Sequence, residues 1–201
     1  LLSIKKLKKV IVSSPDSELK SFLKKSNRVL FNQRPAELAN PGISISESLK
    51  FFVNDYFKKY KKRINTLVVC KINSPFLDYT HIENAINTLD IFKLDAVIGV
   101  KSRDENLFRH NGKTLSPLRY NDCKYEKETG IRLIIEAQQI YSNAGNFIVI
   151  KRNKINEIDN LKKLKIGHEI LSELSSYEIK NDFNLKVAKI MHNNIKNLTD
   201  V

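Results

Sequence analysis

Short apolar runs alternate with segments of helical periodicity along the first half of the chain, and this alternation constrains the fold more than any other feature. The runs Val10 to Val12, Thr66 to Ile72 and Ala96 to Val100 are rich in β-branched residues and end in turn-forming residues, as buried strands do. Strands that alternate with helices of about 10 to 15 residues predict a parallel sheet with crossover connections. We therefore expect an α/β fold with these three strands in one parallel sheet and helices on both faces.

Two of the intervening helices have recognisable starts. Ser44 with Glu47, and Thr80 with Glu83, have the spacing of a capping box, in which a hydroxyl accepts from the amide three residues on. The segment after Ser44 repeats its apolar residues at helical spacing, so one face of that helix is expected to be buried. These apolar residues are Leu49, Phe52, Val53, Tyr56, Phe57 and Tyr60.

Length and composition predict a single domain in the cytoplasm. The chain has 201 residues, within the range of one domain. No apolar run approaches the roughly 18 residues that a membrane-spanning helix needs, and no secretory signal pattern is present. Cys70 and Cys123 have no metal-ligand spacing, so both are expected to be reduced thiols.

The net charge of +13 has two explanations. Clustered cations attract polyanions such as nucleic acids. The lysines are spread along the chain beside many Asn and Ile residues, however, and the run from Lys58 to Arg63 ends a predicted helix, where cations complement the helix dipole. Because no RNA-recognition motif or zinc knuckle is present, we expect solvated faces and a small anionic ligand rather than nucleic acid.

The alternation of strand-like runs with helical segments is interrupted in the second half of the chain. Asn111 and Gly112 between apolar residues predict a hairpin whose turn needs positive φ. Such a hairpin is too small to hold a core of its own, so we expect it to pair with a second copy in a homodimer. Further on, Asn153 to Leu164 is predicted to be a short helix, and Asn181 to cap a closing helix.

The candidate functional residues follow the strands. In open α/β sheets, ligands bind beyond the carboxyl ends of the strands. The polar segments in such positions are Ser13 to Asp16, Gln33 to Glu37, Asn73 to Asp78, and Glu178 to Asp182. Ordinary strand-to-helix turns have the same composition, so position alone leaves both interpretations open.

Four motifs in order along the chain resemble the acylneuraminate cytidylyltransferases, and the later stretch Tyr141 to Arg152 is similar to another segment of that family. The motifs are Val10-Ile-Val-Ser-Ser-Pro-Asp16, Arg34-Pro-Ala-Glu-Leu-Ala39, Asn73-Ser-Pro-Phe-Leu-Asp78 and Asp95-Ala-Val-Ile-Gly-Val100. The resemblance implies a Rossmann-like, three-layer nucleotidyltransferase fold in which residues 1–201 form one domain. It also implies that residues 101–143 form a small dimerisation arm.

The resemblance further implies a reaction in which CTP and an acidic sugar give a CMP-sugar and pyrophosphate, with Mg²⁺ bridging phosphate oxygens. By position it assigns Glu178 and Lys180 to catalysis, with Glu178 as the metal ligand. It assigns nucleotide binding to Arg34, Ser44 and Asp16, and substrate binding to Lys71, Asn73, Ser74, Arg132 and Gly145.

The chain also departs from the family pattern. The family opens with a strand and a glycine-rich loop that hold the triphosphate, and the sequence from Leu1 lacks both, so we expect a missing first segment. An Asp-Ile-Asp motif of the family is replaced by Glu178-Ile-Lys180. A protonated lysine cannot bind Mg²⁺. The alternative is therefore a catalytically degenerate or split homologue that acts as a binding or partner subunit.

Overall fold

A computed structural model of the protein describes residues 1–23, 25–40, 42–103, 108–110, 112–117 and 140–199. Within these ranges the chain forms eight strands, three α-helices and four short 3₁₀ turns. The turns span Ser17–Phe22, Ala36–Ala39, Arg152–Glu157 and Leu161–Lys163. In chain order the longer elements are β1 (Val10–Ser14), β2 (Val29–Gln33), α1 (Ile45–Tyr60), β3 (Thr66–Cys70), α2 (Tyr79–Ile91), β4 (Ala96–Arg103), β5 (Phe108–His110), β6 (Leu115–Pro117), β7 (Ile140–Lys151), β8 (Ile166–Ile170) and α3 (Asp182–Thr199).

The main sheet has four strands in the order β3-β7-β4-β8. Strand β7 is antiparallel to both β3 and β4, whereas β8 is parallel to β4. The predicted mixture of helices and sheet is confirmed, but the prediction of one parallel sheet containing β1, β3 and β4 is wrong. Strand β7 lies directly beside β4 and runs antiparallel to it, so the sheet is mixed and not parallel. Strand β1 lies outside this sheet.

Hydrophobic clusters cover both faces of the main sheet. One cluster contains Leu89 of α2 together with Val97 and Val149. The other contains Val53 of α1 together with Ala96 and Ile150. Because neighbouring strand residues point to opposite faces, these clusters lie on opposite sides of the sheet. The expected helices on both faces are thus present, with α2 on one face and α1 on the other.

Of the two predicted helix caps, one is confirmed and the other is wrong. Ser44 caps α1, and its Oγ accepts a hydrogen bond from the Glu47 N–H at 3.3 Å, as predicted. Thr80 does not cap α2, because Asp78 takes that position and its carboxylate accepts from the Thr80 N–H at 2.7 Å. A carboxylate makes a stronger, charge-assisted bond to the amide than a hydroxyl. Hydrogen bonds from the Thr80 backbone and side chain lower the pKa of Asp78.

The second half of the chain agrees with the predictions in part. Strands β5 and β6 form the expected antiparallel hairpin, and Gly112 in the turn has φ +96°. Asn111 and residues 118–139 of the expected arm lie outside the described residues. The predicted helix from Asn153 to Leu164 is replaced by two 3₁₀ turns. The side chain of Asn181 accepts from the Asn184 N–H at 2.9 Å, at the start of α3 as predicted.

Strands β1 and β2 form a separate parallel pair. Ile4 and Leu7, in the segment before β1, pack in the hydrophobic cluster that contains Leu89 of α2. Arg28 ties this segment to β2, because its guanidinium donates to the carbonyls of Leu2, Ile4 and Leu7 at 2.7, 3.0 and 2.5 Å. None of the helices in the described ranges combines the length and hydropathy that a membrane span requires.

Candidate functional site

Three distant segments meet beyond the carboxyl end of β3. Lys71 follows the last residue of that strand, and its N–H donates to the carbonyl of Asn146 in β7 at 2.9 Å. The segment after β8 is held there by a backbone hydrogen bond from the Ile179 N–H to the carbonyl of Asn73, at 2.8 Å. The amide group of Asn73 also donates to the Ile179 carbonyl at 3.1 Å. Residues far apart in the chain therefore share one small surface.

The carboxylate of Glu178 is at the centre of this surface. Its Oε1 accepts hydrogen bonds from Lys71 Nζ and from Asn73 Nδ2, each at 3.2 Å. Its Oε2 forms an ion pair with Lys180 Nζ at 3.3 Å. Two ammonium groups and one amide thus surround one carboxylate, and we call Lys71, Asn73, Glu178 and Lys180 the Glu178 cluster.

The Glu178 cluster combines a shielded anion with solvent-exposed cations. The side chain of Glu178 is 14% exposed, whereas those of Lys71 and Lys180 are 56% and 71% exposed. Burial by itself would raise the pKa of the Glu178 carboxyl, but hydrogen bonds from Lys71, Asn73 and Lys180 and the charge of Lys71 lower it. Since one carboxylate faces two ammonium groups, the cluster has a net positive charge and can accept a second anion.

Gly145 in β7 makes room for Lys71. Its φ of +69° lies in the left-handed region, which glycine adopts without steric cost. A Cβ at this position would lie 3.2 Å from Lys71 Nζ, closer than ordinary van der Waals contact. The Gly145 N–H donates to Asn143 Oδ1 at 2.8 Å, which closes the local turn. Gly145 therefore allows the Lys71 ammonium to lie against the backbone of β7.

A buried amide beneath the cluster escaped the sequence analysis. Asn146 is fully buried, and its Nδ2 donates to Ser74 Oγ at 2.9 Å. Its Oδ1 is buried and has no hydrogen-bond partner among the described residues. An asparagine next to the apolar run Phe147 to Ile150 was the available signal, because polar residues are rare inside buried strands. Ser74, which was predicted as a substrate contact, faces this amide.

The residues predicted to bind nucleotide lie apart from the Glu178 cluster. Asp16 caps the 3₁₀ turn after β1, and Ser44 caps α1. Arg34 follows β2 and donates its N–H to the Ser14 carbonyl, while its Nε is buried without a partner among the described residues. No hydrogen bond or ion pair joins these three to the cluster within the described part of the chain. Arg132 lies outside the described residues.

The predicted Mg²⁺ site fits these residues poorly. Glu178 is the cluster's only carboxylate, and both of its oxygens are paired with ammonium groups, whereas Mg²⁺ requires free oxygen ligands. No group of three or more His, Cys, Asp or Glu side chains suited to a metal ion occurs within the described ranges. Burial raises the pKa of the Cys70 thiol to about 11, so this cysteine is not a ready nucleophile or ligand.

The geometry therefore describes an open, positively charged surface that can hold a carboxylate or a phosphate group. In comparisons with known proteins, no model of a protein family matches the chain, and no match to a curated protein is found. The interpretation of the site consequently depends on its residues and on the motifs that they form.

Proposed function

We propose that the chain is a cytidylyltransferase-type domain that activates an acidic, sialic-acid-like sugar with CTP to give a CMP-sugar and pyrophosphate. One observation carries the proposal. The substrate-binding and catalytic residues that the motifs indicate come from separate segments and meet at one surface. Those at the surface are Lys71, Asn73, Gly145, Glu178 and Lys180, and Ser74 is buried beneath them.

The Glu178 cluster suits the carboxylate of an acidic sugar. Lys71 is more than half exposed and holds Glu178 in a single ion pair, so its ammonium can turn toward an incoming carboxylate. Such a pair exchanges partners readily, because an exposed salt bridge contributes only about 0–1 kcal/mol. The Asn73 amide, which donates to Glu178 Oε1 and to the Ile179 carbonyl, holds Glu178 in place when Lys71 turns away. In the proposed complex Lys71 thus pairs with the substrate carboxylate, the second anion of the cluster, instead of with Glu178.

In the proposed reaction a hydroxyl oxygen of the sugar forms a bond to the α-phosphorus of CTP. The bond from that phosphorus to the pyrophosphate oxygen breaks, pyrophosphate leaves, and the hydroxyl proton passes to water. Cations near the departing pyrophosphate stabilise the charge that develops there, and Lys180 is the more exposed of the cluster's two cations. We assign no step to Mg²⁺, which remains a prediction from the resemblance alone.

A second candidate is the degenerate or split homologue that binds an acidic sugar or a partner without turning over CTP. The ion pair between Lys180 and Glu178 favours this version, because it occupies the carboxylate that the family would use for the metal. In either version we propose a cytoplasmic homodimer. Sedimentation at roughly tens of micromolar, where a specific interface persists, tests the dimer, and a monomer there would contradict it.

The decisive experiment measures sugar binding and pyrophosphate release separately. Calorimetry with a panel of sialic-acid-like sugars gives the affinity, and a coupled assay with CTP and Mg²⁺ gives the turnover. We expect saturable binding of one sugar and slow turnover by residues 1–201. Lys180→Asp alone is expected to restore little turnover. Robust turnover by the native chain supports the enzyme, and binding without turnover supports the second candidate.

A matched pair of variants tests the assigned site. Lys71→Gln removes the cation that bonds to Glu178 and is expected to weaken sugar binding about tenfold, as loss of one charge-assisted hydrogen bond does. Lys50→Gln makes the same change on an exposed position of α1 and is expected to leave the affinity unchanged. Equal effects of the two variants, or no binding of any sugar by the native chain, would reject the proposal.

A further inference from the structure

The run of cations at the end of α1 is only partly explained by the helix itself. Lys58 and Lys59 lie in the last turn, where positive charge offsets the helix dipole. The helix ends at Tyr60, and Lys61 follows it in the left-handed region, with φ 53°. Arg63 lies beyond the turn over which the dipole acts. The dipole therefore does not account for the charge of Arg63.

Arg63 shares a cleft with two cations from a distant part of the chain. Strand β3 begins at Thr66, which is paired with Lys151 at the end of β7. Next to this pair, the Arg152 N–H donates to the Asn65 carbonyl at 2.8 Å. The two segments border an open cleft of about 370 Å³, which we call the basic cleft. Its cationic and neutral hydrogen-bonding side chains are Arg63, Lys151, Arg152, Asn65, Thr66 and Asn153.

No carboxylate neutralises the cations of the basic cleft among the described residues. No Asp or Glu lines it, and no described acidic side chain forms an ion pair with any of its three cations. Asp95 is near, because its carbonyl accepts from the Lys151 N–H at 3.1 Å. Its carboxylate, however, accepts from the Lys165 N–H at 3.0 Å and forms an ion pair with Lys154 at 3.8 Å. The three positive charges of the cleft are thus available to an anionic ligand.

The side chains of the basic cleft suit linked phosphate groups. A guanidinium has a planar fork of N–H donors that bonds to a phosphate through two parallel hydrogen bonds, and Arg63 and Arg152 provide two such forks. Three positive charges match a chain of phosphates better than a carboxylate, which has a single negative charge. The volume lies within the range of about 300–1,000 Å³ that is typical of small-ligand sites. No aromatic side chain belongs to the described lining, so nothing there stacks on a nucleotide base.

We propose that the basic cleft binds an oligophosphate of two or three linked phosphate groups. Arg63 and Arg152 each hold one phosphate, and Lys151 adds the third positive charge. The side-chain amides of Asn65 and Asn153 are neutral donors beside them. The ligand is recognised by its phosphates alone, since the cleft has cations and hydrogen-bond donors but no stacking surface.

The basic cleft is separate from the Glu178 cluster. Asn65 precedes β3 and Lys71 follows it. Because a strand rises about 3.3 Å per residue, these two residues lie roughly 20 Å apart. A triphosphate is too short to reach both sites. The inference therefore does not depend on the proposed function, and either one can fail without the other.

Calorimetric titration of the native chain with inorganic triphosphate tests the proposal. At constant ionic strength we expect saturable binding, together with shifts of the backbone amide resonances of Asn65, Thr66 and Asn153. Sulfate should bind at least about tenfold more weakly, because a single tetrahedral anion engages fewer of the charge-assisted donors. No saturable binding of triphosphate, equal binding of sulfate, or resonance shifts confined to other residues would each overturn the proposal.

Two double variants of equal charge distinguish the cleft from the positive charge of the whole chain. Arg63→Gln with Arg152→Gln removes both guanidinium groups and is expected to weaken triphosphate binding at least about tenfold, as loss of charge-assisted hydrogen bonds does. Lys186→Gln with Lys189→Gln removes the same charge from exposed positions of α3 and is expected to leave the affinity unchanged. Circular dichroism checks that both variants fold. Equal losses of affinity in the two variants overturn the proposal.

Two further ligands show whether the phosphates belong to a larger molecule. ATP is expected to bind about as tightly as inorganic triphosphate, because no side chain of the described lining stacks on its base. If ATP binds more than about tenfold tighter at the cleft, the site recognises a nucleotide, and recognition by phosphates alone is wrong. If a single-stranded oligonucleotide binds tighter than triphosphate and loses its affinity in the arginine variant, the cleft is part of a nucleic-acid surface, and the proposal is overturned.

Discussion

The main sheet and the β1–β2 pair show how differently similar strand sequences can be buried. Ala96, Val97, Val149 and Ile150 in the main sheet are fully buried. The apolar residues of β1 are all partly exposed, although Val10-Ile-Val12 is as apolar as the strands of the main sheet. The main sheet has helices on both faces and neighbours on both edges of its central strands, whereas the pair has neither in full. Burial therefore depends on what surrounds a strand as much as on its own residues.

The largest expected difference is in the free energy of unfolding when one apolar side chain is truncated at the main sheet and one in the β1–β2 pair. Leu89→Ala empties a fully buried position above the main sheet and should lower the free energy of unfolding by about 2–5 kcal/mol. Ile11→Ala removes a half-buried side chain of β1 and should lower it by about 1 kcal/mol. Urea denaturation of the two variants measures both values. Equal losses would mean that β1 is as tightly packed as the main sheet.

A smaller effect is expected where the two regions are tied together. Arg28→Gln removes the guanidinium that donates to three carbonyls of the segment before β1. Hydrogen bonds of a charged donor contribute about 1.5–3 kcal/mol, and water replaces part of this at a half-buried site. We expect faster hydrogen exchange in residues 1–14 and no change in the main sheet. Arg63→Gln, an exposed arginine after α1, is the matched control.

A pair of glycine variants compares the site at the main sheet with the hairpin beyond it. Gly145→Ala and Gly112→Ala both place a Cβ on a residue with positive φ, which costs about 1 kcal/mol each. Only at Gly145 does the new Cβ also meet Lys71 Nζ. Calorimetry should therefore show weaker sugar binding for Gly145→Ala alone. Equal affinities of the two variants would argue against a role of Lys71 in binding.

The smallest expected effect is the pH dependence of the Glu178 cluster. The pKa of Glu178 is lowered in the folded protein from its ordinary value of 4.5. Its stabilising effect is therefore present above that value and is lost as the pH falls through the folded pKa. At about pH 7 the native chain should exceed Glu178→Gln in stability by less than about 1 kcal/mol, because water screens the exposed lysines. The difference should shrink as the pH falls below 4.5 and through the lowered folded pKa, and a constant difference in urea denaturation would contradict this.

Local features of the sequence predicted the beginnings of elements well. The Ser44 cap, the Gly112 turn and the Asn181 cap depend on neighbouring residues only, and all three occur in the structure. The Thr80 cap failed because α2 begins earlier than predicted, with the Asp78 carboxylate as its cap and the Thr80 N–H as the donor to it. The helix predicted after Asn153 failed as well, since its residues form two short 3₁₀ turns.

The candidate site was predicted in part. The family resemblance drew attention to Lys71, Asn73 and Glu178, and in the structure Lys71 and Asn73 each donate a hydrogen bond to Glu178. The same resemblance selected Asp16 and Ser44, whose oxygens serve as helix caps. Motifs do not distinguish a residue that binds a ligand from one that satisfies its own backbone, because both functions use the same polar atoms.

The sequence by itself determined the starts of α1 and α3 and the turn at Gly112, because caps and turns act over a few residues. Only the tertiary structure decided that β7 runs antiparallel between β3 and β4, and that β1 and β2 form a separate pair. Strand order depends on contacts between segments far apart in the chain, which local pattern does not record. The Glu178 cluster has the same origin, since Lys71 and Glu178 are neighbours only once β3 and the segment after β8 are in place.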